Sequence, residues 1–454
     1  MANDVRFVQA NEGQIVHVGE VIEAQKSSWF QRRLIFWIAI TMMIEGNDNQ
    51  VAGFAAPVMI STLHIDSARF GWVFSVGLFG YMLGALGFSA VGDRVGRRLL
   101  VIGGALLFGG FTLATAYVDT LSTILPLRFC AGIGLGCAIP NSIALMAEYA
   151  PKGSRATRIG LMFVAYTIGS ALGGVAAAWL LPRYGWTSVF QLGGWTGIGL
   201  AAMLYFTLPE SVRFLAVTQS RVAELARTLK RLDPHLQIGP DTQFVADELK
   251  QPGVPVKYLF LEGRAAKSLL LWTAYITTQM TLIFLTSWLP TVIHQDGIDL
   301  ADAEITVALL QIGGAAGSVA FGRMLDKLGV NALAAGLLAA VPFIVGIGSA
   351  SGIAPLLMAL ATMTGFCVVG GQTGINALSG TIYPTYMRST GSGWALGMGR
   401  IGSIVGPLIG GVLLELGVPT WQLFLIAAAP ALCAAGSLFL MRRVAGRFPQ
   451  DPGG

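Results

Sequence analysis

The chain has 454 residues, of which 54% are hydrophobic and only 12% charged, and its formal net charge is +5. A soluble protein of this length carries about twice that share of charged residues, so a soluble enzyme is excluded. The basic isoelectric point of about 9.1 would suit a nucleic-acid binder. The positions of the basic residues, described below, account for the charge without nucleic acid.

The first 30 residues are polar and lack an apolar core with a small-residue cleavage site, so we expect no cleaved signal peptide. From residue 34 onward apolar runs recur, many of them longer than the roughly 20 residues that span a bilayer as a helix. Polar breaks divide these runs into twelve predicted spans. The spans are 34–60, 70–91, 99–118, 121–149, 156–181, 186–208, 267–293, 301–325, 329–350, 353–382, 389–415 and 419–441.

The longest break contains the charged stretch VAELARTLKRL, which we expect to be partly helical. It divides the chain into two sets of six spans. The prediction is therefore an all-α integral membrane protein with twelve transmembrane helices in two pseudo-symmetric six-helix bundles. Its predicted parts are a cytoplasmic segment, a first bundle, a cytoplasmic central loop, a second bundle and a cytoplasmic tail, at 1–33, 34–208, 209–266, 267–442 and 443–454.

The basic residues are distributed unevenly between the two sides of the predicted spans. Only Arg69 and Arg183 lie in breaks after odd-numbered spans, and Arg128 and Arg400 lie deep inside spans. The remaining basic residues cluster at the termini, around the breaks after even-numbered spans and in the central loop. By the positive-inside rule this places both termini and the central loop in the cytoplasm.

The two halves of the sequence are similar to each other at one constant, ungapped offset. Asp93 falls on Asp326, and the loop sequences GDRVGRR and LDKLGVN align around this pair. Such a repeat is typical of two-domain secondary transporters that rock about a site at the membrane midplane. Residues shared by both halves are expected to serve the scaffold, whereas a charge present in one half is a candidate for function. Five charges that meet this criterion, because none has a charged counterpart, are Glu45, Asp48, Arg128, Glu148 and Arg400.

The first span carries the polar run EGNDNQ between apolar flanks. Asp48 lies about 14 residues from the predicted start of the span, roughly 21 Å along a helix, which is deep in the bilayer. No histidine lies deep in a span, so a proton carrier has to be a carboxylate. We therefore predict that Asp48 and Glu45 couple protons, with a static ion pair to a neighbouring helix as the alternative. Asn47 is a candidate for substrate contact or for a hydrogen bond between helices.

Two arginines are candidates for binding an organic anion. A guanidinium holds a carboxylate through two parallel hydrogen bonds, which suits an organic acid better than a sugar. Arg400, near the middle of span 11, is the first candidate, with pairing to Asp48 or Glu45 as the alternative. Arg128 in span 4 is the second, with a structural ion pair as the alternative. Gln311, Gln372 and Asn376 are further candidates, either for orienting a substrate or for bonds between helices.

Other charges lie at the predicted cytoplasmic ends of the spans. Because several of them occur in both halves, we expect a network that latches the halves together and breaks when they rock. The predicted latch residues are Asp93, Arg94, Arg97, Arg98, Glu148, Asp326 and Arg388. For Glu148 the alternative is a proton relay.

Neither a cofactor nor a metal is expected. The four cysteines lie inside apolar runs without a paired spacing, and they are interpreted as buried apolar side chains. The glycine-rich GIGLG lies within a span and follows no strand, so it is not a nucleotide-binding loop. We expect membrane lipids around the spans and a monomeric protein.

The loop SAVGDRVGRR, with its weaker copy GRMLDKLG, resembles the signature of the major facilitator superfamily, although Ser89 stands where that signature often has glycine. Within the superfamily the chain resembles the aromatic acid:proton symporters over most of residues 30–440. The similarity rests on EGNDNQVAGFAAP, RFCAGIGLGCAIPNSIALMAEYAP, SWLP and GGQTGINALSGTIYPTYMRSTGSGWALGMGRIGSIVGPLIGG. One departure is Glu45, which replaces the first Asp of the family pattern Asp-Gly-x-Asp.

This resemblance implies import of a benzoate-like aromatic carboxylate, driven by protons, across a bacterial cytoplasmic membrane. The family's functional positions fall on residues already singled out, namely Glu45, Asp48, Asp93 with the loop arginines, Arg128, Glu148, Arg388 and Arg400.

Other functions are weighed against this one. A porter for a sugar or a non-aromatic organic acid is the nearest alternative, because LPESVRFL resembles the sequence after span 6 of sugar porters. The paired glutamines expected in span 7 of that group are missing, however. A drug antiporter would carry a Gly-Pro bend in span 5, where this chain reads GSALGGV. A membrane sensor would need a larger output domain, and an enzyme is disfavoured because no nucleophile–base or metal-ligand cluster is present.

Overall fold

The computed structural model describes residues 15–24, 28–218, 221–234, 236, 238–239, 242–245, 256–261, 264–350, 352–383 and 388–445. Within them lie fifteen α-helices, two short strands and one turn of 3-10 helix, Val256–Leu259. The strands are β1 (Ile15–His17) and β2 (Gln243–Val245). The helices are α1 (Val18–Ala24), α2 (Trp29–Leu63), α3 (Ser67–Val95), α4 (Arg97–Thr115), α5 (Leu121–Tyr149), α6 (Lys152–Tyr184), α7 (Thr187–Thr207), α8 (Val212–Thr218), α9 (Val222–Leu232), α10 (Ala265–Gln295), α11 (Leu300–Leu328), α12 (Val330–Ser349), α13 (Ala354–Ile382), α14 (Arg388–Glu415) and α15 (Thr420–Ala445).

Each of the twelve predicted spans corresponds to one long helix. Eleven of these helices, α3 to α7 and α10 to α15, are long and apolar enough to cross a membrane in the part of the chain that is described. The twelfth is α2, which carries the polar run EGNDNQ in its middle. It begins before the predicted span, because Ser28 and Gln31 form a reciprocal N-terminal cap that a hydrophobicity pattern does not reveal.

The packing of the helices repeats in the two halves. In the first half α2 packs on α6, α3 on α5, and α4 on α7; in the second half the equivalent pairs are α10 with α14, α11 with α13, and α12 with α15. The halves meet mainly where α6 packs on α11, α3 on α14, and α2 on α10. The fold class predicted from the sequence is therefore confirmed as a helical membrane protein of two similar six-helix halves.

Close helix contacts follow the same offset as the sequence repeat. A Cβ added at Gly132 would lie 2.0 Å from the carbonyl oxygen of Gly77, and one added at Gly365 would lie 1.8 Å from that of Leu310. A second equivalent pair makes the same kind of close contact. Gly169 of α6 lies against the carbonyl oxygen of Met43, and Gly402 of α14 lies against that of Ile276. Only glycine permits these approaches, so the repeat preserves helix–helix contacts.

The short connections that follow α3 and α11 are also equivalent. Gly96 and Gly329, which occupy matching positions in the repeat, have φ of +103° and +68°. A side chain is disfavoured at such a φ, so glycine allows α4 and α12 to begin at once after the preceding helix.

The predicted central loop contains structure of its own. The stretch VAELARTLKRL is α9, as predicted, and its Leu225 and Leu229 are buried together with Val18 and Ile22 of α1. The parallel pairing of β1 with β2 was not predicted, because two such short strands, one before the first half and one after it, leave no periodic pattern. The strand β1 and the helix α1, which precede the first membrane helix, are thus attached to the segment between the halves.

The hydrophobic core is continuous between the halves at one end of the bundle. We call this the joined end; it is the end where α10 turns into α11. There Phe74 of α3 and Trp288 of α10 meet edge to face at 5.3 Å, in a buried cluster that includes residues of both halves. At the opposite end the buried residues form two clusters, one in each half. The space between the halves is therefore closed at the joined end.

Candidate functional site

The middle of α2 places two acids inside the protein. Glu45 is fully buried and Asp48 is 2% exposed, and none of their four carboxylate oxygens has a hydrogen-bond partner among the described residues. Gly46 lies between them, and a Cβ there would be 2.1 Å from the carbonyl oxygen of Tyr166 in α6. The glycine thus allows α2 to approach α6 closely while both acids remain buried.

Arg128 of α5 supplies a buried positive charge near Asp48. Its Nη2 donates hydrogen bonds to the hydroxyls of Thr112 at 2.8 Å and Thr115 at 3.2 Å, and its guanidinium lies 5.1 Å from the ring centroid of Phe190. The charges of Arg128 and Asp48 attract each other without a direct ion pair. The Nε of Arg128 has no hydrogen-bond partner among the described residues. The Arg128 guanidinium therefore has an N–H group that can donate a hydrogen bond to a further anion.

Asp48 and Arg128 both line a cavity between the halves. The cavity has a volume of about 50 Å³, below the roughly 300–1,000 Å³ usual for small-molecule sites, so a bound organic acid requires the surrounding helices to move apart. Aromatic rings on its wall come from Phe74 and Tyr81 of α3, and Thr286 and Ser287 of α10 bring hydroxyls from the second half. A carboxylate, a guanidinium, aromatic rings and hydroxyl groups thus surround the same cavity.

Arg400 of α14 approaches this cavity from the other half. Its guanidinium carbon lies 4.0 Å from the ring centroid of Tyr81, a cation–π contact across the interface. No hydrogen bond or ion pair of Arg400 is found among the described residues. Arg400 is not itself part of the cavity wall. The ring of Tyr81 therefore lies between Arg400 and the cavity, whereas Arg128 lines the cavity directly.

The amide candidates lie elsewhere in the structure. A Cβ added at Gly173 would be 2.1 Å from the Oδ1 of Asn47, so the Asn47 side chain points at α6. Gln311 donates to the hydroxyl of Ser170 at 2.7 Å, a hydrogen bond between the halves. Gln372 donates to Asn376 one turn further along α13 at 3.2 Å. The structure does not bring these amides together around the cavity of Asp48 and Arg128.

The described latch residues pair within the first half. Arg97 forms an ion pair with Glu148, and Ser211 also donates to Glu148. Arg98 donates to the carbonyl oxygen of Tyr205, and its backbone N–H donates to Glu210 at 3.1 Å. These contacts fasten α4 and α5 to the end of α7 and to the segment that follows it. The side chains of the other predicted latch residues lie outside the described part of the structure; they are Asp93, Arg94, Asp326 and Arg388.

Reasoning from the sequence missed four residues. Tyr81 and Phe74 line the cavity, Thr112 holds Arg128, and Glu304 is a fully buried acid in α11. A signal for Glu304 was available, because it is an acid inside a predicted span. No comparable signal marked the other three, since rings and threonines are common in membrane helices and only the packing brings them to Arg128 and Arg400.

The arrangement suits reversible binding of a small organic anion and of protons. A guanidinium can hold a carboxylate, aromatic walls can hold a ring, and buried carboxyls can take up and release protons as their surroundings change. In the described residues no group of three or more His, Cys, Asp or Glu side chains could hold a metal ion. The features describe a helical membrane protein of two similar halves, with a cavity between them that an arginine and an aspartate line.

Comparisons with known proteins identify the family. The model of the Major Facilitator Superfamily matches residues 38–352. A gallate transporter of Pseudomonas putida is 35% identical over 422 residues, which cover 92% of this chain and 94% of the relative. The 4-hydroxybenzoate transporter PcaK of Pseudomonas aeruginosa is 35% identical over 427 residues, with 92% and 94% covered. The benzoate transport protein of Acinetobacter baylyi is 31% identical over 433 residues, with 94% and 92% covered.

Solved structures support the same fold. A bacterial homologue of the human lysosomal transporter Spinster superposes with a TM-score of 0.73 at 16% identity, covering 94% of this chain and all of the other. The xylose transporter XylE from E. coli superposes with a TM-score of 0.68 at 17% identity, covering 93% and 97%. The chain therefore belongs to the major facilitator superfamily, and within it to the aromatic acid:proton symporter family.

Proposed function

We propose that the protein imports an aromatic carboxylate by proton symport across a bacterial cytoplasmic membrane, with both termini in the cytoplasm. The observation that carries the proposal is the cavity between the halves, where Arg128 and Asp48 face aromatic rings. The relatives, which are named as transporters of gallate, 4-hydroxybenzoate and benzoate, support the choice of substrate class. Positive charges at the termini and central loop support the orientation.

Arg128 is the residue in the cavity wall that can hold the carboxylate. Its Nη2 is oriented by Thr112 and Thr115, whereas its Nε is free of hydrogen bonds within the described residues. Arg400 lies behind the ring of Tyr81 and makes this part of the cavity electropositive. The substrate ring would lie against Tyr81 and Phe74, whose π surfaces favour another ring over a hydroxyl-rich sugar. The sequence ranked Arg400 first, whereas the geometry favours Arg128 for direct contact.

Proton coupling would come from the two acids of α2. Asp48 lies in the cavity wall, where a substrate carboxylate entering beside Arg128 would compete with it for the same positive charge. Because two negative charges cannot share one guanidinium at low cost, substrate binding favours protonation of Asp48. Glu45 is fully buried one turn away and has no hydrogen-bond partner among the described residues, so it is neutral in this conformation. Proton and anion would thus bind together.

Alternating access would follow from rocking of the halves about the cavity. The joined end is closed by a core that both halves share, and in the proposed orientation this end faces the outside. Hydrogen bonds cross between the halves from Gln311 to Ser170 and from Ser75 to the carbonyl oxygen of Ile404, both at 2.7 Å. Opening of the joined end has to break such contacts and close the opposite end.

The test is uptake of labelled 4-hydroxybenzoate into proteoliposomes that are alkaline inside. The protein should accumulate the acid, and a protonophore should abolish the accumulation. Asp48→Asn should bind the acid and exchange it across the membrane without accumulating it, because the amide cannot carry a proton. Asp66→Asn, a change of an exposed acid between α2 and α3, should behave as the unmodified protein.

Two results would contradict the proposal. The first is accumulation that a protonophore does not affect, in the unmodified protein or in Asp48→Asn. The second is transport of xylose without any transport of aromatic acids, which would assign the cavity to a sugar.

A further inference from the structure

Glu304 is a buried acid for which the proposed transport cycle has no role so far. It lies in the second turn of α11, shortly after the capping residue Asp299 and near the joined end. Its side chain is fully buried, and neither carboxylate oxygen has a hydrogen-bond partner among the described residues. Burying a charged carboxylate without a partner is so costly that the group instead binds a proton and becomes neutral.

The position of Glu304 is at the interface between the halves. Residues 304, 308 and 311 share one face of α11, because they are spaced four and seven positions apart. That face packs on α6: a Cβ at Gly174 would lie 3.1 Å from the carbonyl oxygen of Glu304 and from the Cβ of Ala308, and Gln311 donates to Ser170. Rocking of the halves separates this face from α6 at the joined end.

No neighbouring charge offsets a negative charge on Glu304. On α6 the nearest basic group in the chain at this end is Arg183, which is exposed and donates to the carbonyl oxygen of Trp179. On α10 it is His294, which is exposed and bonded to Ile298 at 2.9 Å. On α11 itself Asp302 is half-buried, and α12 and α13 contain no charged residue or histidine. A negative charge on Glu304 would therefore be buried without a compensating charge from the described residues of these helices.

We propose that Glu304 is a proton site that controls closure of the joined end. When the end is open, water reaches the carboxyl between α6 and α11 and the group ionises; when it closes, the carboxyl has to take up one proton. The proton is bound from the outer solution and released there on reopening, with no other group changed. This inference rests on the proposed transport cycle, but it concerns a different residue and a different step.

The sign of the effect follows from proton linkage. The closed conformation binds one more proton at Glu304 than the open one, so raising the pH favours the open conformation. Above the pH at which the exposed carboxyl titrates, the ratio of open to closed should rise by about tenfold per pH unit through this site alone. Asp48 and Glu45 can add their own pH dependence, which is common to the variants and cancels in the comparison.

The test measures opening without any substrate. In a background without the four native cysteines, spin labels are placed at Tyr117 and Leu416, which are 68% and 72% exposed and lie at the joined end of the two halves. Distance distributions are recorded in nanodiscs between about pH 5 and pH 9. The parent should shift from short to long distances as the pH rises. In Glu304→Gln the open-to-closed ratio should rise less steeply with pH than in the parent, by up to about tenfold per pH unit. In the matched variant Asp302→Asn the ratio should change with pH as it does in the parent.

A second variant guards against misfolding. Glu304→Leu removes the buried polar group at similar volume, and it should favour the short distances and lose the same part of the pH dependence as Glu304→Gln. Equal pH dependence in the parent and in both Glu304 variants would overturn the proposal, as would a parent whose distances do not change with pH. If the distances depend on Glu304 but aromatic acids are not transported with protons, the proposed function fails while this inference stands.

Discussion

The hydroxyl of Thr112 offers the sharpest test of the anion site. Thr112 is fully buried, and its hydroxyl accepts a 2.8 Å hydrogen bond from the Nη2 of Arg128. Thr112→Val keeps the shape of the side chain and removes this acceptor, so that Nη2 retains only the longer bond to Thr115 at 3.2 Å. The guanidinium then loses a fixed orientation beside Asp48 without losing its charge.

The size of the effect follows from that bond. A hydrogen bond to a charged group contributes about 1.5–3 kcal/mol, and the remaining bond to Thr115 places the expected loss at the lower end. About 1.4 kcal/mol corresponds to a roughly tenfold weaker affinity for an aromatic carboxylate. Binding of 4-hydroxybenzoate to the purified protein, measured by calorimetry, gives this ratio directly. Thr115→Val serves as the matched control and should weaken binding less.

Two results would refute this reasoning. Unchanged affinity in Thr112→Val would mean that the orientation of Arg128 does not matter for binding. A larger loss in Thr115→Val than in Thr112→Val would mean that the longer hydrogen bond is the important one. A thermal melt of each variant separates loss of the site from loss of the fold.

Three further predictions follow from the packing of the site and of the repeat. Tyr81→Leu removes the ring beneath Arg400 and should weaken aromatic-acid binding by about 0.5–2 kcal/mol, whereas Tyr81→Phe should keep most of the affinity; equal loss in both would exclude the ring contact. Arg400→Lys keeps the charge but not the planar stacking, so binding should weaken in the same assay, and unchanged affinity would remove Arg400 from the site. Gly365→Ala should destabilise the protein by at least about 1–3 kcal/mol in a thermal melt, because the new Cβ would lie 1.8 Å from the Leu310 carbonyl oxygen. Gly393→Ala, whose Cβ would meet nothing within 4 Å, should be neutral or slightly stabilising, and a similar loss in both would contradict the packing.

The pattern of apolar and charged residues was enough to predict the architecture. Long apolar runs, one break near the middle and a repeat at one constant offset predicted two similar six-helix halves, because a helix that spans lipid needs about 20 predominantly apolar residues. The same repeat separated Glu45 and Asp48 from the scaffold, since their equivalents are Thr278 and Thr281. Polar residues inside a membrane are costly enough to be visible without any structure.

The packing of the helices was needed to show which of these residues share a cavity. Asp48 and Arg128 are far apart in sequence and meet because α2 and α5 both face the space between the halves. Tyr81 was not a candidate, because nothing in its surroundings in the sequence distinguishes a ring that faces a cavity from one that packs between helices. The contacts of the Asn47 and Gln311 amides with α6 could not be predicted either. The sequence of a helix gives the positions of its polar residues but not the neighbouring helix that they face. Helix periodicity fixes the face on which a residue lies, and the packing of twelve helices decides what that face meets.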